Sequence, residues 1–256
     1  MSLPRTSPSD WDASTYSRVS VPQQAWSADV ISRLQLCGDE TVLDAGCGSG
    51  EVTVSLLESL PHGRVIAVDG SASMVEAARA LLPPDRSEVR CHDLIRLDME
   101  HEVDRVFSNA VFHWVGDHES LFRGIHRALR PGGRFSAQCG GKGNVASVER
   151  ALAVVCREQP FAGSVAGLGA PWNFAGPEET ELRLKDAGFD RVWCWLESRT
   201  VRPEEPQAFF EASMLAQIAE ALDPELLAAF SDRMMEVMGA PDTFDYVRLN
   251  IVAERD

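Results

Sequence analysis

From Gln23 to Leu36 the apolar residues Trp26, Val30, Ile31 and Leu34 recur every three or four positions, the spacing of one face of a helix. The period then shortens. Thr41-Val-Leu-Asp44 is a brief apolar run ending in an acid. Ala45-Gly-Cys-Gly-Ser-Gly50 follows it, and Val52, Leu56, Leu57 and Leu60 then return to helical spacing, which reads as strand, glycine turn and helix. Pro61-His-Gly63 breaks the helix, and Arg64-Val-Ile-Ala-Val-Asp69 forms a second strand that again ends in an acid. Ser73 and Glu76 have the spacing of a capping box, with Ser73 as the cap of a helix that stops at Pro83-Pro84. Val89–Asp93 and Val103–Phe107 read as the third and fourth strands. His118–Arg130 reads as a helix with Leu121, Phe122, Ile125 and Leu129 inward, closed by Pro131-Gly-Gly133, and Arg134–Ala137 as a fifth strand.

Strands that alternate with helices in this way predict a doubly wound α/β fold, a parallel sheet covered on both faces, with ligands at the carboxyl ends of its strands. Further on, Ser147–Glu158 is helical and Gly163–Gly176 is a glycine-rich loop carrying Trp172 and Phe174. Pro177–Ala187 is a helix stopped by Gly188, and Val192–Leu196 and Tyr246–Ala253 are two more strands. Between them, residues 204–240 carry two apolar-faced helices split at Asp223-Pro224, read as a cap inserted over the edge of the sheet. Residues 1–36, with Trp11, Tyr16 and Trp26, are too aromatic for a solvated tail and are expected to form a lid. One domain spanning 1–256 is therefore expected, with its ligand-binding core at 37–139.

Composition removes several function classes. The 256 residues hold 39 Asp plus Glu against 24 Lys plus Arg, a formal charge of -15, which is the wrong sign for gripping nucleic acid or an anionic membrane. No apolar run approaches the length of a membrane span, and the Pro- and Ser-rich start has no signal-peptide core, so a cytoplasmic protein is expected. The six Cys show no C-x2-C spacing and lie mainly in apolar surroundings, which favours reduced thiols over disulfides or a metal site.

The chemistry gathers at the strand ends. Gly46, Gly48 and Gly50 let backbone approach a ligand closely. Asp44, two residues before the first of them, puts negative charge where a dinucleotide pyrophosphate would pass, and so suits a ligand bearing an ammonium or sulfonium group. Asp69 is placed to accept two hydrogen bonds from a ribose diol, although a plain surface acid is the alternative. Asp93 is placed to accept from an exocyclic adenine amine, and Met74 either packs on an adenine face or is an ordinary core residue.

Five ordered stretches carry a resemblance: Val42–Gly50, Val65–Asp69, His92-Asp93, Arg105–Ala110 and Leu129–Phe135. Together they resemble the class I S-adenosylmethionine-dependent methyltransferases. That resemblance implies a seven-stranded sheet whose last strand is antiparallel and inserted beside the fifth. It also implies a glycine loop that holds the methionine part of S-adenosylmethionine, Asp69 on the ribose and Asp93 on the adenine, with Gly70, Met74, Leu94 and Asn109 completing the cofactor set. A narrower similarity, to the trans-aconitate methyltransferase group whose members methylate a carboxylate, lies in Asp10–Tyr16, Phe107–Trp114 with Asp117-His118, and Arg248–Ala253. The chain departs from that group at His113, where a glutamine is expected, and in its own loop at Pro171-Trp-Asn-Phe174.

For the acceptor, an ionised carboxylate needs no base, whereas a phenol, alcohol or ammonium group needs a proton removed. His113, just past the fourth strand, is the candidate catalytic residue, either as base or as a hydrogen-bonding group. Arg248, Arg233 and Arg199 are candidate partners for an anionic substrate, and Trp11, Tyr16, Trp114, Trp172 and Phe174 are candidate pocket walls. The fourth strand continues Ser-Asn-Ala-Val, which differs from the Asn/Asp-Pro-Pro-Tyr/Phe turn of enzymes that methylate DNA amino groups. The leading expectation is O-methylation of a carboxylate on a small molecule. The alternatives are methylation of an apolar metabolite at O, N or C with His113 as base, cofactor binding without transfer, and nicotinamide chemistry.

Overall fold

The computed structural model describes residues 21–166, 172–219 and 221–256. Helix α1 (Val21–Ser32) leads into β1 (Thr41–Ala45), α2 (Glu51–Glu58), β2 (Arg64–Asp69), α3 (Ala72–Leu81), β3 (Ser87–Cys91), β4 (Val103–Asn109), α4 (His118–Ala128) and β5 (Leu129–Gly140). The remainder is α5 (Ala146–Val155), α6 (Pro177–Asp186), β6 (Arg191–Val201), the helices α7 (Pro206–Met214), α8 (Ala216–Ala219) and α9 (Pro224–Val237), and β7 (Phe244–Glu254). The seven strands form one sheet in the order β3-β2-β1-β4-β5-β7-β6. β1 to β5 are parallel, and β7 runs antiparallel between β5 and β6. The fold is thus the doubly wound sheet with an inserted antiparallel last strand. No helix among the described residues is long and apolar enough to cross a membrane.

β1 and β2 are buried on both faces, as continuous apolar runs in a parallel sheet should be. One face packs against α4, placing Leu43, Ile66, Val106, Phe122, Ile125 and Phe135 in a single core. The other is covered by α1 and α2 through Val30, Leu34, Val42, Leu56, Val65 and Phe107. α1 and the turn that follows it are also tied to the strands by polar contacts, with Ser136 donating to the carbonyl of Val30 at 3.0 Å and Arg105 to that of Leu34 at 3.1 Å. The described part of the expected lid is therefore fixed on the sheet; Trp11 and Tyr16 lie outside the described residues.

Several boundaries differ from those read in the sequence. The cap of α3 is Ser71, whose hydroxyl accepts from the Met74 amide at 3.4 Å, so Ser73 lies inside the helix. β3 ends at Cys91, and the link to β4 holds only the short 3-10 turn Leu94–Arg96. β6 extends five residues beyond Leu196, to Val201, because its register with β7 continues as far as Val201 against Phe244. Cys37 and Cys91 are exposed, while Cys47 and Cys139 are buried: Cys37 lies in the loop after α1, and Cys91 ends an edge strand that the core does not enclose.

The inserted segment holds three helices rather than two, and it lies over the carboxyl ends of the strands rather than along the sheet's edge. β6 ends and β7 begins at that end, so the chain between them must cross it. There Phe209, Phe210, Phe230 and Met234 pack with Val148, Leu152 and Val155 of α5, and with Phe244 and Tyr246 of β7. Burial of this apolar interior holds the cap above the ligand end of the sheet.

Leu34→Ala should lower the unfolding free energy by about 2 to 5 kcal/mol in urea titrations, the cost of emptying a core leucine site. A loss below about 1 kcal/mol would show that α1 is a detachable flap.

Candidate active site

The glycine turn between β1 and α2 is built by the main chain. Gly46, Gly48 and Gly50 have φ of 91°, 54° and 89°, the left-handed region that glycine enters without steric cost. The Gly46 and Cys47 amides donate to the carbonyl of Val68 at 2.8 and 3.1 Å, strapping the turn to the end of β2. The three glycines serve different ends. A Cβ on Gly46 would collide with Val111 and one on Gly50 would press on Leu82, whereas one on Gly48 would meet nothing within 4 Å. Of the three, only Gly48 faces open space.

Two carboxylates lie beneath this turn. Asp69 accepts from the Gly48 amide through Oδ2 and from the Ser71 amide through Oδ1, both at 2.9 Å. Burial raises its pKa above the usual carboxyl range, with the hydrogen bonds from Ser71 and Gly48 opposing the rise. Asp44, 1% exposed, accepts from the Thr53 hydroxyl at 2.7 Å. Burial first, opposed by the Thr53 hydrogen bond and aided by the nearby Asp69 charge, pushes its pKa up to about 7. A cation bound beside this pair would favour their ionised forms, and each carboxylate oxygen keeps acceptor capacity for a diol. The residues present thus fit S-adenosylmethionine, which carries a sulfonium, an ammonium and a ribose.

The other expected cofactor residues fall at the same end of the sheet, not all in the same way. Gly70 lies between Asp69 and Ser71, whose amide Asp69 holds. Asp93 caps the 3-10 turn by accepting from the Ile95 amide at 3.1 Å, and so stands just beyond β3. Leu94, the first residue of that turn, is buried in the core. Met74 is buried at the start of α3, and Asn109 ends β4 opposite Gln138.

His113 sits in the 3-10 turn Phe112–Trp114 after β4. His118 of α4 fixes this turn by donating from Nε2 to the carbonyl of Phe112 at 2.8 Å. Asn173 fixes it from the far side: its amide donates to the carbonyl of His113 at 2.8 Å and its side chain to that of Val115 at 3.1 Å. The buried Nδ1 of His113 accepts from the Gly140 amide at 3.2 Å. An imidazole whose Nδ1 accepts carries its proton on Nε2, so its outer nitrogen is a donor. Burial first, then the charges of Arg248 and His118, hold its pKa well below the ordinary 6.5, and the ring is neutral at physiological pH.

The structure brings Trp114, Trp172 and Arg248 to His113. Phe174 stacks near His113 with centroids 6.0 Å apart, Trp172 stacks on Phe174 at 5.4 Å, and Trp114 lies 5.0 Å from His113 and 6.2 Å from Trp172. Arg248 is 2% exposed, lies over the Trp26 ring at 5.0 Å, and donates to Gln138 Oε1 at 3.4 Å. The other two candidate arginines are elsewhere. Arg233 pairs with Glu158 and Glu236 on the cap, and Arg199 with Glu197 and Asp29. Sequence reading missed Gln138, Asn173, Tyr246 and Gly140; of these only Asn173 carried a signal, its place between two aromatics in the loop already singled out.

Comparison with known proteins agrees with this geometry. The methyltransferase domain family matches residues 43–137. The chain is 30% identical over 239 residues to a trans-aconitate 2-methyltransferase of Methylobacterium nodulans, covering 84% of this chain and 92% of that protein. Among solved structures, the YcgJ protein of a Bacillus superposes with a TM-score of 0.65 at 13% identity, covering 90% of this chain and 98% of that one. A phosphoethanolamine-type N-methyltransferase of Haemonchus contortus bound to S-adenosylhomocysteine superposes at 0.61 and 18% identity, covering 95% of this chain and 57% of that one. The chain belongs to the class I S-adenosylmethionine-dependent methyltransferases and, within them, to the trans-aconitate methyltransferase group. It is an enzyme whose cofactor is S-adenosylmethionine.

Two glycine variants separate ligand contact from packing. Gly48→Ala should still fold, at a cost of about 1 to 2 kcal/mol for an alanine in the left-handed region, and weaken S-adenosylhomocysteine binding about tenfold or more by calorimetry, roughly 1.4 kcal/mol. Gly46→Ala should carry the same backbone strain and destabilise the protein by about 1 to 3 kcal/mol more through overpacking against Val111. The reverse pattern would mean that Gly46 faces the ligand.

The raised pKa of Asp44 fixes the sign of a pH effect on the free enzyme. Between the unfolded carboxyl value near 4 and the folded value of about 7, the folded state keeps a proton that the unfolded chain has released. This contribution is fully present below about pH 4 and is lost as pH rises toward 7. Asp44→Asn should therefore flatten the fall in melting temperature over that window relative to wild type. Parallel profiles for the two proteins would contradict the assignment.

Proposed function

We propose that the enzyme methylates a carboxylate oxygen of a small molecule. The observation that carries this reading is the pairing of a neutral His113, its Nδ1 occupied by the Gly140 amide, with the buried guanidinium of Arg248. The two make a site that is electropositive and donates protons, the complement of an anion that needs no deprotonation. A phenol or ammonium acceptor would instead require a lone pair on the outer nitrogen and a pKa near neutrality, and His113 has neither in this arrangement. The relatives named trans-aconitate 2-methyltransferase support the same class of acceptor.

When bound, S-adenosylmethionine supplies a methyl group already activated for in-line displacement. The protein's tasks are then to position the acceptor and exclude water. Arg248 offers planar N–H donors to the carboxylate, and the Nε2 proton of His113 offers one more. Burial of both, beneath a cap whose interior is apolar, keeps these hydrogen bonds strong. Trp114, Trp172 and Phe174 flank the acceptor position, and Asn173 holds their loop to the His113 turn.

With S-adenosylmethionine saturating at every pH, His113→Gln should keep a side-chain donor and lose about tenfold in kcat/KM for the acceptor, with a flat profile from pH 6 to 9 in both proteins, because no group at the acceptor must lose a proton there. Arg248→Gln should raise KM for a carboxylate acceptor by about a hundredfold, the scale of a lost charged hydrogen bond. A rising limb that disappears in His113→Gln, together with an unchanged KM in Arg248→Gln, would replace the carboxylate by an acceptor that needs a base.

A further inference from the structure

The two edges of the sheet are built differently. β3 closes one side with five residues, and its paired Glu88 and Arg90 blunt that edge with charge. β6 closes the other with eleven, about twice the usual strand length, and holds no proline and no break in its register with β7. One contact shows which of its amides face outward: that of Cys194 donates to Glu181 Oε1 of α6 at 3.2 Å, and so points away from β7. Amides alternate in direction along a strand, so those of Leu196, Ser198 and Thr200 point the same way, and no acceptor meets them among the described residues. Large apolar side chains gather at this edge. Trp193 and Trp195 stand on one face of β6 and Leu196 on the other, with Leu182 on α6, which packs against β6; all four are exposed.

We infer that β6 is the interface of a two-fold symmetric dimer, in which it pairs antiparallel with β6 of a second copy of this chain and the two sheets become one. The free amides choose the register. They are centred on Ser198, and a two-fold axis there sets Ser198 opposite the partner's Ser198 and Leu196 opposite the partner's Thr200. The Cys194 amide, already held by Glu181, stays outside the new ladder. The side chains suit the same register. Glu197 falls opposite the partner's Arg199 and Arg199 opposite the partner's Glu197, in the closer, non-hydrogen-bonded positions, and Trp195 falls opposite the partner's Val201. Arg199 also meets Glu197 of its own strand, at 2.6 Å, so the cross-strand pairs join into one network of alternating charge. An axis at Leu196 would instead set Trp195 against the partner's Glu197 and compete with Glu181 for the Cys194 amide. Glu-Ser-Arg is its own complement when the strand is reversed, which selects a second copy over an unrelated strand.

The test is the mass of the full chain in solution, by sedimentation equilibrium at tens of micromolar, and it does not depend on the identity of the methyl acceptor. The wild type should sediment at twice the mass of one chain. Ser198→Pro keeps the ladder to β7, because the Ser198 amide faces the open edge, and should sediment as one chain. Charge reversal reads the register. Glu197→Arg and Arg199→Glu, each alone, set like charges opposite one another and should each raise the dissociation constant about tenfold or more. An equimolar mixture of the two restores opposite charges at both positions and should recover the wild-type value. The mixture also separates a lost interface from a lost fold, since unfolded chains would not regain the doubled mass on mixing. A single-chain mass for the wild type, or a doubled mass that survives Ser198→Pro, would overturn the inference. So would charge variants that associate as tightly as wild type, or a mixture that stays as weak as its components.

Discussion

The hydrogen bond from the Gly48 amide to the Asp69 carboxylate is the contact through which strand ends become a ligand site. It pairs an amide that the left-handed turn exposes with a carboxylate that burial would otherwise leave undersolvated, so each satisfies the other. The two amides donating to Val68 bring the turn within reach of Asp69, and the resulting geometry aims Gly48 outward over both acids. Asp44 completes the arrangement. Burial, aided by the nearby Asp69 charge and opposed by the Thr53 hydrogen bond, pushes its pKa up to about 7. Such a pair costs stability in the free protein and is relieved by a cationic ligand, so the site is poised for a sulfonium rather than a pyrophosphate.

The acceptor side works by a different principle. There the buried charge is positive, the histidine is neutral, and the walls are rings supplied by segments far apart in the chain: Trp26 from α1, Trp114 after β4, Trp172 and Phe174 before α6, and Tyr246 from β7. The inserted helices roof this end because β6 finishes and β7 starts there. Opposite electrostatics at the two halves suit a cationic methyl donor and the anionic acceptor proposed above.

Most of the cofactor side was legible from local order. The run from Val42 to Gly50, the acid ending β2, and the alternation of strands with helices are short-range patterns, and the strand order and turn match them. What escaped was set by distant contacts. Glycine at 46 looks like a ligand approach in sequence, and the structure adds two reasons that spacing does not carry, its φ of 91° and the side chain of Val111, 65 residues away. Ser73 has the better capping spacing, yet the chain leaves β2 so that Ser71 reaches the Met74 amide. The tautomer of His113 depends on Gly140 at the end of β5, and the choice of Arg248 over Arg199 and Arg233 depends on burial. No spacing rule encodes either. The cap's place over the strand ends follows from the lengths of β6 and β7, and the half-exposed alternation of β6 hides its true bounds.

The central claim is that the buried acid pair is partly protonated in the free enzyme and ionises when the cationic cofactor binds. Titration calorimetry with S-adenosylmethionine in buffers of differing ionisation enthalpy counts the protons exchanged on binding. Asp44, with its pKa of about 7, should release close to one proton per cofactor bound at pH 6 and almost none at pH 9. Asp44→Asn should abolish most of that release. No proton release at pH 6, or the same release from wild type and Asp44→Asn, would contradict it.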